Sequence, residues 1–230
     1  MTVLVLALRA PLQSWGSRSR FVRRETELIP TKSGMVGLLA AAQGRRRTDP
    51  VEDLVGLIVA ARADQPGRVV RDFQTAIADD GNAMPLTHRY YLADAAFTAY
   101  IEGPEPVLDG LVDAIRRPQH PLYLGRRSCP PSSPLFLQLS DGKIADVIQS
   151  TPWQGSSRSR RKGGPFVALD VQADQSAFPH RKARRQIQDV PLSFNPERRE
   201  YGMRSVVDLQ VSIPNPGYAG APPDHDPMSD

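Results

Sequence analysis

The chain holds a single cysteine, Cys129, in 230 residues. One thiol cannot form an intrachain disulfide or a thiolate zinc cage, and its isolation fits a reducing compartment, so a cytoplasmic protein is expected. Histidine is almost as scarce. The four histidines stand singly at 88, 120, 180 and 225, which leaves no metal-ligand spacing to build on, and no cofactor is expected. No apolar run approaches the ~20 residues of a membrane span. The short apolar opening Val3–Leu8 lacks basic residues before it and a small-residue cleavage site after it, so it reads as a first β-strand rather than a signal peptide. There is no Walker loop, and the glycines at 34 and 37 do not make a dinucleotide fingerprint. In excess instead is proline, 22 residues, about twice the usual ~5% share, which predicts broken connections and few long helices.

The formal net charge of +4 conceals a segregation along the chain. Residues 1–47 carry nine basic and two acidic side chains, and residues 126–204 carry fourteen and seven. Between them, residues 48–125 carry six and twelve, and the last 26 residues carry four acids and no base. The cations are 25 arginines against four lysines. Arginine binds phosphate bidentately and stacks on bases, although a GC-rich coding sequence also favours arginine on an ordinary solvated surface. The blockwise asymmetry makes a polyanion the first partner to consider.

Val3–Leu8 predicts a buried strand closed by Pro11, and residues 12–30 read as an exposed basic loop. Thr31 or Ser33 can cap a helix over Gly34–Gln43 that stops at Gly44. Leu57–Ala63 and Arg68–Ile77 read as strands joined by Asp64-Gln65-Pro66-Gly67; the chain returns through His88–Ile101 after a polar tip, as an extended hairpin. Val107, Leu108, Leu111, Val112 and Ile115 predict an amphipathic helix over Glu105–Arg116, and a strand is expected at 135–139. This order approximates the βαββαβ ferredoxin-like arrangement, the sheet class of RNA-recognition modules. Beyond Ser150 a mobile basic loop is expected around Arg158–Gly164, with strands at 165–173 and 204–213.

Three segments carry candidate chemistry. Gln13, Ser14 and Trp15 offer an amide, a hydroxyl and an indole after the first strand, where a base could stack. Lys32 and Ser33 sit at a helix start whose free N–H groups suit phosphate. Tyr123–Pro130 sets Arg126, Arg127 and Ser128 beside a glycine that permits close backbone approach. The alternatives are a buried tryptophan, a plain helix cap and a surface turn. Asp224-His225-Asp226 reads as solvated tail, Asp79-Asp80 as turn chemistry, Ser128-Cys129 as a structural thiol, and Arg45–Arg47 as a solvated helix end.

PLQSWG, PTKSGMVGLLAAAQG, RDFQT and YLGRRSCPPSSPLF resemble, in this order and approximate spacing, the CasD family of the type I-E CRISPR surveillance complex, Cascade. The resemblance covers about residues 1–45, 71–99 and 122–139. It implies an α+β, ferredoxin-like (RRM-like) domain of the RAMP superfamily over 1–149, with a β-hairpin thumb at about 72–99. A basic loop and a smaller, irregular β-rich C-terminal part would follow over 150–213, then a disordered tail over 214–230. It further implies a noncatalytic subunit that anchors the 5′ handle of CRISPR RNA and caps the filament of backbone subunits. Such a subunit also contacts the large subunit that reads the protospacer-adjacent motif, and meets target DNA through the complex. On this reading Gln13, Ser14, Trp15, Arg18, Lys32, Ser33, Arg126, Arg127 and Ser128 surround the handle, with His88 and Arg89 on the thumb. Gln74 departs from relatives that carry histidine there. The alternatives are a metal-independent endoribonuclease that processes CRISPR repeats and a general basic RNA-binding module.

Overall fold

In the computed structural model, which describes residues 1–16 and 23–218, seven antiparallel strands build the main sheet. They are β1 (Thr2–Arg9), β4 (Ile58–Gln65), β7 (Ala96–Gly103), β8 (Phe136–Asp141), β9 (Phe166–Asp174), β10 (Arg185–Ser193) and β11 (Glu200–Pro214). Their order across the sheet is β10-β11-β9-β4-β7-β1-β8, every pair antiparallel. The four strands β4-β7-β1-β8, with helices α1 (Lys32–Ala42) and α3 (Glu105–Arg116) in the two crossovers, form the ferredoxin-like unit. A single turn, α2 (Glu52–Val55), leads from the first crossover into β4.

The central strands lie between two apolar layers. Leu4, Leu6 and Leu8 of β1 join α1, α3 and the 122–135 segment in one cluster, whereas Val3 and Val5 join Tyr100, Trp153 and helix α4 (Ile144–Ser150) in the other. Burial on both faces is the reason this stretch is a continuous apolar run without alternation. Helix α3 follows its expected span, with Leu108, Leu111, Val112 and Ile115 buried. Helix α1 starts from Thr31, whose Oγ1 accepts from the Gly34 N–H at 3.2 Å.

Several expectations change. The third core strand is not 68–77 but β7: the stretch 88–101 breaks at Asp94, whose φ is +58°. Opposite it the chain turns at Gly67, φ +70°. Between these corners β5 (Arg68–Gln74) and β6 (Thr87–Ala93) leave the core as a hairpin arm over 68–93. β2 (Leu12–Gln13) widens the arm at its base beside Leu92 and Ala93, and β3 (Arg23–Arg24) runs parallel to β6 farther out, beside His88 and Arg89. The C-terminal region adds three strands directly to β4 through β9. Residues expected as a basic loop contain helix α5 (Ser157–Lys162), and β10 had no counterpart among the expected strands. Pro214 closes β11, and Asn215 beyond it is buried; residues 219–230 of the expected tail, with Asp224-His225-Asp226, lie outside the described residues. No helix among the described residues is long and apolar enough to cross a membrane.

Candidate nucleic-acid interface

The three motifs meet, but as an internal joint. Trp15 is 1% exposed; its ring lies where a side chain on Gly34 would have to sit, with Cε3 2.7 Å from the position of a β-carbon there. Its indole N–H donates to Gln13 Oε1 at 3.1 Å, and the Gln13 amide donates to the carbonyls of Leu8 and Ala95 at 3.0 and 2.8 Å. The Gln13 side chain is thus engaged at both ends inside the protein. The Ser14 N–H donates to the Leu124 carbonyl at 3.1 Å, and its hydroxyl reaches the Tyr90 carbonyl at 3.3 Å. Gly125, at φ +90°, passes so close to the Ser14 carbonyl that no β-carbon fits.

The helix start expected to hold phosphate is already occupied by a carboxylate. Asp189 Oδ2 accepts the Lys32 N–H at 2.8 Å, at the positive end of α1. The Lys32 ammonium is buried and donates to the Leu57 carbonyl at 2.8 Å and to Asp174 at 3.1 Å. Arg204 closes the ring, donating to Asp174 at 2.7 Å and to both oxygens of Asp189 at 2.6 and 2.9 Å. Burial acts to lower the Arg204 guanidinium pKa, but the hydrogen bonds and charge of Asp189 and Asp174 outweigh it and hold it above its ordinary value. Ser33 is buried beside Thr31, 3.3 Å between hydroxyls. Gln13, Ser14, Trp15, Lys32 and Ser33, expected to touch the handle, are thus buried and hydrogen-bonded within the protein. Arg18 lies outside the described residues.

What remains at the surface is a continuous basic groove. Two adjoining cavities, about 870 and 1190 Å³, share Arg47, Tyr123, Gly125, Arg127 and Arg199. The first has an apolar floor of Leu38, Ala41, Leu122 and Phe194, with His120 and Tyr201 at its side. The second adds Arg24, Gln74, Arg89, Arg126 and Ser128. Of the expected handle residues, Arg126, Arg127 and Ser128 meet here, joined by Arg89 of the two expected on the arm, whereas His88, on β6, does not line either cavity. Among the described residues His88 Nδ1 and Arg89 Nε are buried without a hydrogen-bond partner.

The charges of the groove are unequal in availability. Arg126 lies 4.6 Å from the Tyr91 ring centroid and donates to the carbonyls of Tyr90 and Arg24 at 3.1 and 2.8 Å. It clamps β3 and β6 and has little fork left for phosphate. Arg127 and Ser128 are exposed. Arg45 is tied to Asp53 at 2.6 Å, and Arg198 to Glu200 at 2.8 Å. Arg24, Arg46, Arg47, Arg89, Arg127 and Arg199 line the groove with no ion pair among the described residues. Sequence reasoning missed Arg46, Arg47 and Arg199 and the aromatic residues Tyr123, Phe194 and Tyr201. The runs RRR at 45–47 and ERRE at 197–200 were the available signals. What brings 45–47 to the groove is the end of α1, where the Gln119 N–H donates to the Ala42 carbonyl at 3.0 Å and ties the 120–130 segment alongside.

The family model described as CRISPR-associated protein (Cas_Cas5) matches residues 3–207. The CRISPR system Cascade subunit CasD of Escherichia coli (strain K12) is 35% identical over 167 residues, 62% of this chain and 74% of that protein. A solved structure described as a CRISPR RNA-guided surveillance complex superposes with a TM-score of 0.77 at 30% identity, covering 96% of this chain and 95% of the other. A crystal structure described as a Cas protein gives a TM-score of 0.71 at 34% identity, covering 96% and 100%.

Proposed function

The chain belongs to the CRISPR-associated Cas5 family, and from that premise we propose that it is the subunit of a CRISPR surveillance complex that holds the 5′ handle of the guide RNA in its basic groove. The observation that carries this reading is the groove itself, lined also by Glu197 and Glu200, in which six arginines without an ion pair among the described residues flank an apolar, aromatic floor. Single-stranded RNA is held by this combination: cations track the phosphates while unstacked bases lie on aromatic faces, each worth roughly 1–3 kcal/mol. Arg24, Arg46, Arg47, Arg89, Arg127 and Arg199 would supply the phosphate contacts, and Tyr123, Phe194 and Tyr201 the base platforms. The relative in Escherichia coli is a Cascade subunit by name, which supports the same assembly here.

The arm over 68–93 fits a partner protein of that assembly. Phe73, Ile77 and Met84 are 66%, 76% and 51% exposed on it, more apolar surface than a solvated hairpin needs. A backbone subunit is the proposed occupant, with the subunit capping its filament, and the large subunit that reads the protospacer-adjacent motif is the second protein partner. The test is to purify the assembled complex and sequence the RNA that this chain crosslinks. Crosslinks confined to one uniform 5′ handle support the proposal, and mixed cellular RNA overturns it.

One observation favours a second reading. His120, Tyr123 and Tyr201 share the first cavity with several arginines, and imidazole and phenol groups beside phosphate could act as acid and base without a metal. Incubating the full chain with repeat RNA in EDTA separates the two. Intact RNA is expected; cleavage at the handle boundary, abolished by His120→Ala, would establish the endoribonuclease instead.

A further inference from the structure

We infer that helix α5 forms a second nucleic-acid contact, separate from the groove, that takes the phosphate backbone of duplex DNA. Residues 147–169 contain Arg158, Arg160, Arg161 and Lys162 and no acidic residue. Like charges packed into six residues repel, and such a run left to itself would be a mobile loop. The protein instead holds it in a fixed shape. Ser156 caps the helix by accepting from the Ser159 N–H at 3.2 Å. Arg160 turns inward, donating to the carbonyls of Gly155 and Trp153 at 3.0 and 2.9 Å. At the other end the buried Asn215 amide donates to the carbonyls of Arg160 and Gly164 at 2.7 and 3.0 Å. The Trp153 indole is itself fastened to the Asp64 carbonyl at 2.8 Å.

One arginine of the four cations is thus used as an anchor, and Arg158, Arg161 and Lys162 are left exposed, without an ion pair among the described residues. They stand on the far side of the sheet from the groove: Trp153 and Val167 belong to the apolar layer of Val3 and Val5, whereas α1, Leu124 and Cys129 belong to the opposite one. In the other basic run, Arg181–Arg185, Arg185 is paired with Asp208 at 3.2 Å.

The shape of the site selects a duplex. Neither cavity includes a residue of α5, and the exposed aromatics near it in the chain fold, Phe166 and Tyr218, line neither cavity. Exposed cations on a short helix outside the groove's two cavities are placed to contact phosphates rather than base edges. Duplex DNA, with its bases inside and one charge per ~1.7 Å of axis, is the polyanion that asks for nothing more. Binding is therefore expected to be independent of sequence and strongly dependent on salt.

The experiment is a salt titration of the full chain against a labelled DNA duplex of arbitrary sequence, beside a titration against single-stranded handle RNA. The variant Arg158→Gln/Arg161→Gln/Lys162→Gln should weaken duplex binding on the order of 100-fold at low salt and lower the slope by about 0.9 for each phosphate no longer neutralised. Its affinity for handle RNA and its thermal melt should not change. The groove variant Arg127→Ala/Arg199→Ala should show the reverse, so a failure of the RNA reading is seen separately. Duplex affinity unchanged in the triple variant, or abolished in the groove variant, overturns the inference. So does retention of duplex binding together with failure of other subunits to co-purify, which would assign α5 to an acidic protein surface.

Discussion

The carbonyl oxygen of Ser14 stands 1.5 Å from where a β-carbon on Gly125 would be. This close approach brings the first strand's end and the Tyr123–Pro130 segment into one joint, and it orients Arg127 and Ser128 outward into the groove. Any side chain at 125 must push the two segments apart, and the left-handed backbone there adds strain of its own. Gly125→Ala is expected to cost about 2–4 kcal/mol of stability and to weaken handle RNA binding in the molecules that remain folded. Urea melts and RNA titration at matched folded concentration check both.

Trp15 and Arg127 should separate cleanly. Trp15→Ala empties an interior site, so stability should fall by about 3–5 kcal/mol, while RNA affinity per folded molecule stays unchanged. A Trp15→Ala protein that melts normally but no longer binds RNA would return the indole to the interface.

Arg127→Ala with Arg199→Ala should leave the melting temperature in place, because both side chains stand at the groove without an ion pair among the described residues. The slope of log affinity against log salt for handle RNA should fall by about 1.4, or about 0.7 for each phosphate of a single strand. Arg126→Ala is expected to behave differently: it releases the clamp on β3 and β6, so stability falls along with affinity.

Cys129 gives the pH dependence. Burial pushes its thiol up, and the hydrogen bond with Ser128 opposes this only in part. A thiol whose pKa is higher folded than unfolded adds stability that is fully present below its unfolded value, about 8.5. That stability disappears as pH rises through the folded value. Urea midpoints should therefore drop from about pH 8 upward by more in the native chain than in Cys129→Ser. Iodoacetamide at mildly alkaline pH should label the thiol only under unfolding conditions.

Lys32→Met tests the ring around α1. Removing one cation leaves Asp174 with Arg204 and the Val59 N–H but deprives the buried carboxylate of its second cation, and destabilisation by about 3–5 kcal/mol is expected. The same variant should not alter the salt slope for RNA, because the ammonium is turned into the ring with Asp174 and the Leu57 carbonyl.

Local pattern alone determined a good deal. The apolar run of β1, the capped span of α1 and the 3.6-residue spacing of α3 are set by backbone sterics and burial within a few turns of chain, and they stand where the residues indicated. The order of these elements was enough for the ferredoxin-like class but not for its third strand, which is β7 rather than 68–77, and the four motifs were enough for the family. Charge counting likewise pointed to a polyanion. Which cations would face it was a tertiary decision. Lys32 and Arg127 look equally suited in the sequence, yet Asp174 and Asp189, more than 140 residues away, fold onto the first and leave the second in water. Arg46, Arg47 and Arg199 enter the groove because the end of α1 and the β10–β11 turn converge across the sheet, a pairing that no local propensity encodes. The single cysteine is buried in the same joint, and only the packing around it made its burial, and so its raised pKa, a property of the fold.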